Sequence, residues 1–100
     1  MTEFEALAAL PPKVRKAVVF FCTIRSVSYK DVINADRKNI WDMSKVNGLI
    51  TYLAALNFPL KDIHMAANTD MHYASKVIAR WRSEKQFPIR TTNYERAAAW

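Results

Sequence analysis

Apolar residues recur at intervals of three and four through most of the chain, and no segment alternates apolar with polar over a strand's length. That periodicity predicts helices throughout. Thr2 with Glu5 three residues on is a capping-box pattern, opening a short helix that Pro11 and Pro12 terminate. A second helix is predicted over 12–25, with Val14, Val18, Phe21 and Cys22 on one stripe. Val19, Phe20 and Ile24 lie off that stripe, so this helix is expected to be largely enclosed and to act as the hub. Ser28 and Asp31 open a short helix ending near Ala35 or Asp36, after which Asn39 caps a long helix through Leu56. Asn57 and Pro59 mark a break, followed by a short helix over about 59–67 and a long one over about 70–85 that Pro88 stops. Thr92 with Glu95 predicts a last short helix from Asn93 to Trp100.

The pattern repeats. Shifted by 31 positions, SYKDVINADRKNIWDMSKVNGLI from Ser28 lies over PLKDIHMAANTDMHYASKVIARW from Pro59. Lys30-Asp31 then falls on Lys61-Asp62, Ala35 on Ala66, and Ser44-Lys45-Val46 on Ser75-Lys76-Val77. The register holds upstream, where Phe21 meets Tyr52. A self-match at fixed spacing points to one supersecondary unit used twice. Here the unit is a helix, a short helix, a tight turn and a longer helix, and the 39–56 helix belongs to both copies.

The second copy, LKDIHMAANTDMHYASKVIA from Leu60 to Ala79, resembles the helix-turn-helix of the lactose repressor family and similar bacterial and phage regulators. Such a unit wants buried apolar residues where Ile63, Ala67, Ala74 and Val77 stand, and a left-handed residue where Asn68 stands. It departs from the pattern at His64, where a small residue is usual, and at Asp70, which suits a helix N-cap. In the first copy, from Tyr29 to Gly48, Val32, Met43 and Val46 hold core positions, while Asp36 falls at a place where a buried apolar residue is wanted and Arg37 where the left-handed residue is wanted, which together imply an altered turn. The resemblance implies an all-α fold: a compact helical domain of about five to six helices with two tandem units sharing one long central helix. It predicts a single domain over 1–100, with the first unit at about 13–56, the second at about 45–85 and a tail at 86–100.

In this architecture the second helix of the unit enters the major groove of double-stranded DNA. The base-facing positions implied by the resemblance are Met71, His72, Ser75 and Lys76 in the second copy, and Ile40, Trp41, Ser44 and Lys45 in the first. Lys45 and Lys76 suit guanine O6 or N7, and Met71 or Ile40 suits a thymine methyl. Trp41 is open to two uses, packing on a neighbouring helix or touching DNA. Arg37, Lys38, Arg80 and Arg82 are the implied phosphate contacts.

Charge points the same way. The net charge is +6, and residues 13–45 hold eight bases against three acids. That excess favours a polyanionic partner. Cys22 is the only cysteine, so no internal disulfide or thiolate cage is expected, which suits a cytoplasmic chain. No apolar run has membrane-spanning length, and the acidic start lacks the basic region of a signal peptide, so the chain is expected to be unprocessed and free of membrane. Cys22, His64 and His72 lack zinc-ligand spacing, no catalytic constellation or phosphate loop is assembled, and neither a cofactor nor enzymatic activity is expected.

The functional expectation is a small sequence-specific transcriptional regulator, such as a phage, plasmid or bacterial repressor. Two alternatives stand beside it: an adaptor or inhibitor that uses the same scaffold on the transcription machinery or another protein, and a replication or segregation factor that binds DNA. Asp42 and Asp70, as carboxylates close to where phosphate would lie, motivate the adaptor reading. Apolar surface around Val19, Phe20, Trp81 and Trp100 suits a homodimer.

Overall fold

A computed structural model describes residues 2–86, and it is all-helical across them. Six helices follow in order: α1 (Glu3–Ala8), α2 (Pro12–Arg25), α3 (Tyr29–Ile33), α4 (Ile40–Ala55), α5 (Leu60–Ala67) and α6 (Met71–Gln86). The expected final helix at 93–100 lies outside the described residues.

Local chemistry sets the helix starts. The Thr2 hydroxyl accepts from the Glu5 N–H at 3.1 Å, and the Thr2 N–H donates to Glu5 Oε1 at 3.0 Å, completing the capping box of α1. These bonds favour the ionised carboxylate and lower the Glu5 pKa. Ser28 Oγ accepts from Lys30 N–H ahead of α3. Asn39 Oδ1 accepts from Trp41 and Asp42 N–H ahead of α4, and Asp70 Oδ1 accepts from Tyr73 N–H at 2.7 Å ahead of α6. At the other end of α1 the cap comes from a neighbour. Arg15 of α2 donates to the carbonyls of Leu7, Ala8 and Leu10 at 2.9, 3.3 and 3.0 Å, satisfying groups a helix C-terminus leaves open.

The 31-residue repetition is also present in the backbone. Ser26 and Asn57, equivalent in the self-match, are both left-handed, with φ of 54° and 66°. Each is followed by the same closing bond, Val27 N–H to Cys22 O at 2.9 Å and Phe58 N–H to Leu53 O at 3.2 Å. The next helices begin at Tyr29 and Leu60, and the ones after at Ile40 and Met71. Thus α2 corresponds to α4, α3 to α5, and α4 to α6. Phe21 and Tyr52, which pair in the alignment, also touch in space, with ring centroids 5.3 Å apart.

Two expectations need correction. The first is the hub: α2 buries only Val14, Val18 and Phe21, while Val19, Phe20 and Ile24 are about half exposed. Packing by α3, α4 and α5 leaves that outer side of α2 open. The central helix is α4, which contacts α2, α3, α5 and α6 and buries Val46, Leu49, Ile50, Leu53 and Ala54. The second is α3, which ends at Ile33 rather than near Ala35 or Asp36. Asn34 closes it with φ of −106°, and no residue of 34–39 takes a positive φ, so the turn before α4 differs in kind from the one before α6.

Candidate nucleic-acid interface

The turn between α5 and α6 is built by Asn68, Thr69 and His64. Asn68 sits in the left-handed region at φ 56°, ψ 44°, where asparagine is tolerated better than most residues. Its N–H and that of Thr69 return to the carbonyls at the end of α5. His64 is half-buried and lies with Nδ1 3.0 Å from the Thr69 carbonyl. A carbonyl oxygen only accepts, so the proton of this bond belongs to Nδ1. The residue that departs from the small-residue pattern therefore braces the turn. Ile63, Ala67 and Ala74 are buried as their positions require; Val77 is partly buried and Ile78 completes the core face of α6.

The opposite face of α6 is open. Met71, His72, Ser75, Lys76 and Arg80 are all exposed, and their spacing of one, three and four residues places them on one strip of the helix. Arg82, seven residues beyond Ser75, is exposed on the same strip. Ala79, not among the expected base-facing positions, fills the strip between Ser75 and Arg80, as its offset of four from Ser75 dictates. On the inner side Tyr73 donates its hydroxyl proton to Asn47 Oδ1 at 2.6 Å, fixing the first turn of α6 to the middle of α4.

In the first copy only the beginning of α4 is open. Ile40 and Trp41 are 74% and 75% exposed, and Ser44 is exposed, but from Val46 onward the helix passes into the core. Among the described residues Trp41 is not packed into a neighbouring helix. Lys45 differs from its counterpart Lys76: it is half-buried, with its ammonium 3.6 Å from Asp31 Oδ2. Arg37 and Lys38 stand exposed in the turn ahead of the helix. That turn is knitted by carboxylates, since the Asp36 N–H donates to Asp42 Oδ2 and the Lys38 N–H to Asp36 Oδ1, both at 2.9 Å. Asp42 and Asp70 are thus both engaged by backbone N–H groups, which gives these acids a structural role beside the basic surface.

The two turns are neighbours. Asn68 Nδ2 donates to the Ile33 carbonyl at 2.9 Å. A small cavity of about 40 Å³ between them is lined by Ala35, Arg37 and Met43 from the first copy and by Ala67, Asn68 and Thr69 from the second. The turns that lead into α4 and α6 therefore lie against each other. Among the described residues no cluster of His, Cys, Asp and Glu has metal-binding geometry, and no helix is long and apolar enough to cross a membrane.

Compared with protein-family models, curated proteins and solved structures, the chain matches none of them.

Proposed function

We propose that this protein is a small DNA-binding regulator that lays α6 in the major groove. The observation that carries the reading is the open strip of α6, with Met71, His72, Ser75 and Lys76 near its start and Arg80 further along, standing behind a left-handed turn at Asn68. A helix presented in this way reaches base edges with residues near its N-terminus, while later basic residues meet backbone phosphate. Lys76 is the donor for guanine O6 or N7, His72 and Ser75 are adaptable polar contacts, and Met71 offers an apolar surface to a thymine methyl. Arg80 and Arg82 further along α6, and Arg37 and Lys38 in the turn ahead of α4, supply phosphate contacts. The chain's charge of +6 supports the same partner.

A second reading, a protein-binding adaptor, is favoured by the exposed apolar side chains of Ile40, Trp41 and Met71. Fluorescence anisotropy separates the two. With random duplex, the DNA reading expects binding at low salt whose affinity falls steeply as salt rises. With a duplex selected from a random pool, the double substitution His72→Ala, Lys76→Ala should weaken binding at least ten-fold more than it weakens random duplex. Absence of binding at low salt would overturn the DNA reading, and equal losses on both duplexes would remove the base-reading role from α6.

A further inference from the structure

The first copy presents its helix start differently from the second, and the difference has a chemical direction. A helix that reads a groove needs an open face along several turns, as α6 has. The open part of α4 ends at Ser44, because Val46, Leu49 and Ile50 belong to the core. Only a tip is offered. Its basic residue, Lys45, is drawn toward Asp31, and the Asp42 carboxylate is bonded to the backbone of the preceding turn. What projects is a pair of large apolar side chains, Ile40 and Trp41, three-quarters exposed and preceded by Arg37 and Lys38.

A hydrogen-bonding code is poorly served by such a tip. A flat aromatic ring with cations on its flank instead suits an unpaired nucleobase, which stacks on the ring while the cations hold the adjoining phosphates. Within an intact duplex every base is already stacked, so the ring has no free face to meet. We propose that Ile40–Trp41, with Arg37 and Lys38, is a stacking site for an unpaired base of a nucleic acid strand. On this inference the protein prefers a duplex interrupted by a short single-stranded gap. The neighbouring turns, joined by the bond from Asn68 to Ile33, bring the start of α4 close to the start of α6. One bound DNA would then meet both, α6 on the paired part and Trp41 at the interruption. The inference rests on the reading of α6 as the duplex-binding helix.

The test compares a fluorescently labelled intact duplex with the same duplex carrying a gap of a few nucleotides. It uses the wild type, Trp41→Ala, Trp41→Phe and the double variant His72→Ala, Lys76→Ala, each checked for helical content by circular dichroism. The gapped duplex should bind the wild type about ten-fold more tightly, and Trp41→Ala should remove most of that preference while Trp41→Phe, which keeps an aromatic face, retains it. The double variant should weaken both DNAs and preserve their ratio. Equal affinity for the two DNAs, or a ratio indifferent to Trp41→Ala, overturns the stacking site and leaves the duplex reading standing. Failure to bind either DNA overturns both. Light scattering without DNA supplies a further arm: a mass that Trp41→Ala reduces would show that the tip meets a second copy of the chain, which also overturns the proposal.

Discussion

Tyr29 shows how one buried side chain ties the two copies together and makes the fold sensitive to alkali. Its hydroxyl donates to the Ala66 carbonyl, joining α3 to α5 across 37 positions of sequence. Burial, reinforced by the nearby Cys22 thiol, pushes its pKa from 10.0 up to about 12. In the unfolded chain the phenol loses its proton near its ordinary value, whereas the folded chain holds the proton until about pH 12. Between those values the folded state binds more protons, so stability is full below pH 10 and declines as pH rises through the window. Tyr29→Phe should cost about 1 kcal/mol at neutral pH through the lost hydrogen bond and should show a shallower decline above pH 10. Urea midpoints for both proteins measured from neutral to alkaline pH check this, and parallel declines would exclude Tyr29 as the cause. At this scale much was legible in the sequence. Thr2, Ser28, Asn39 and Asp70 all cap helices because a cap is satisfied within three residues of its own position. The left-handed turn at Asn68 was legible for the same reason. The bonds of Arg15 to the end of α1 and of Lys45 to Asp31 were not, because each depends on how two helices lie against one another.

At the scale of the element, α4 is the most instructive, and its glycine is the point where packing can be improved. Gly48 is the only glycine in the chain and sits in the helix interior, facing Phe21 of α2. A methyl group there would lie 3.4 Å from Phe21 Cζ, an ordinary contact. No positive φ demands glycine at this site. Glycine within a helix costs roughly 0.5–1 kcal/mol relative to alanine. Gly48→Ala should therefore raise stability by about that amount, read as a higher urea midpoint with an unchanged slope; a lower midpoint would mean that Phe21 has no room to give. Helix type and order were legible from periodicity. Enclosure was not. The sequence of α2 is apolar on nearly every side, yet Val19, Phe20 and Ile24 stay in contact with solvent because α3, α4 and α5 all pack on its other side. Periodicity tells which residues share a face and is silent on how many faces find a partner. The shortened α3 has a related origin, since Asp36 occupies what would be a core position and takes its bonds from the turn instead.

For the whole molecule, the shared helix decides how it unfolds. The buried residues of both copies form one continuous cluster, from Ala6 and Leu10 through Phe21, Leu49 and Leu53 to Ala74 and Ile78. Neither copy keeps its core without α4. Denaturation followed by tryptophan fluorescence and by helical circular dichroism should accordingly give coincident, single transitions. Two separated transitions would mean that the copies are independent units. The candidate interface was legible in the sequence as a set of residues, since exposed positions on α6 follow from its helical spacing. Its inequality was legible only in part. The basic excess and altered turn of the first copy could be read from Asp36, Arg37 and Lys38, whereas the withdrawal of Lys45 and the outward placement of Trp41 required the packed helices.

The continuity of α4 also restricts how the chain can change in length. A residue inserted between Val46 and Leu53 would rotate everything beyond it by about 100° and advance it by about 1.5 Å. The bonds from Tyr29 to Ala66, from Asn68 to Ile33 and from Tyr73 to Asn47 would then all lose their phase together. A continuous helix has no loop in which to absorb an insertion. The molecule is phased through one helix: the angle at which the open strip of α6 stands to the aromatic tip of α4 depends on the number of residues in α4.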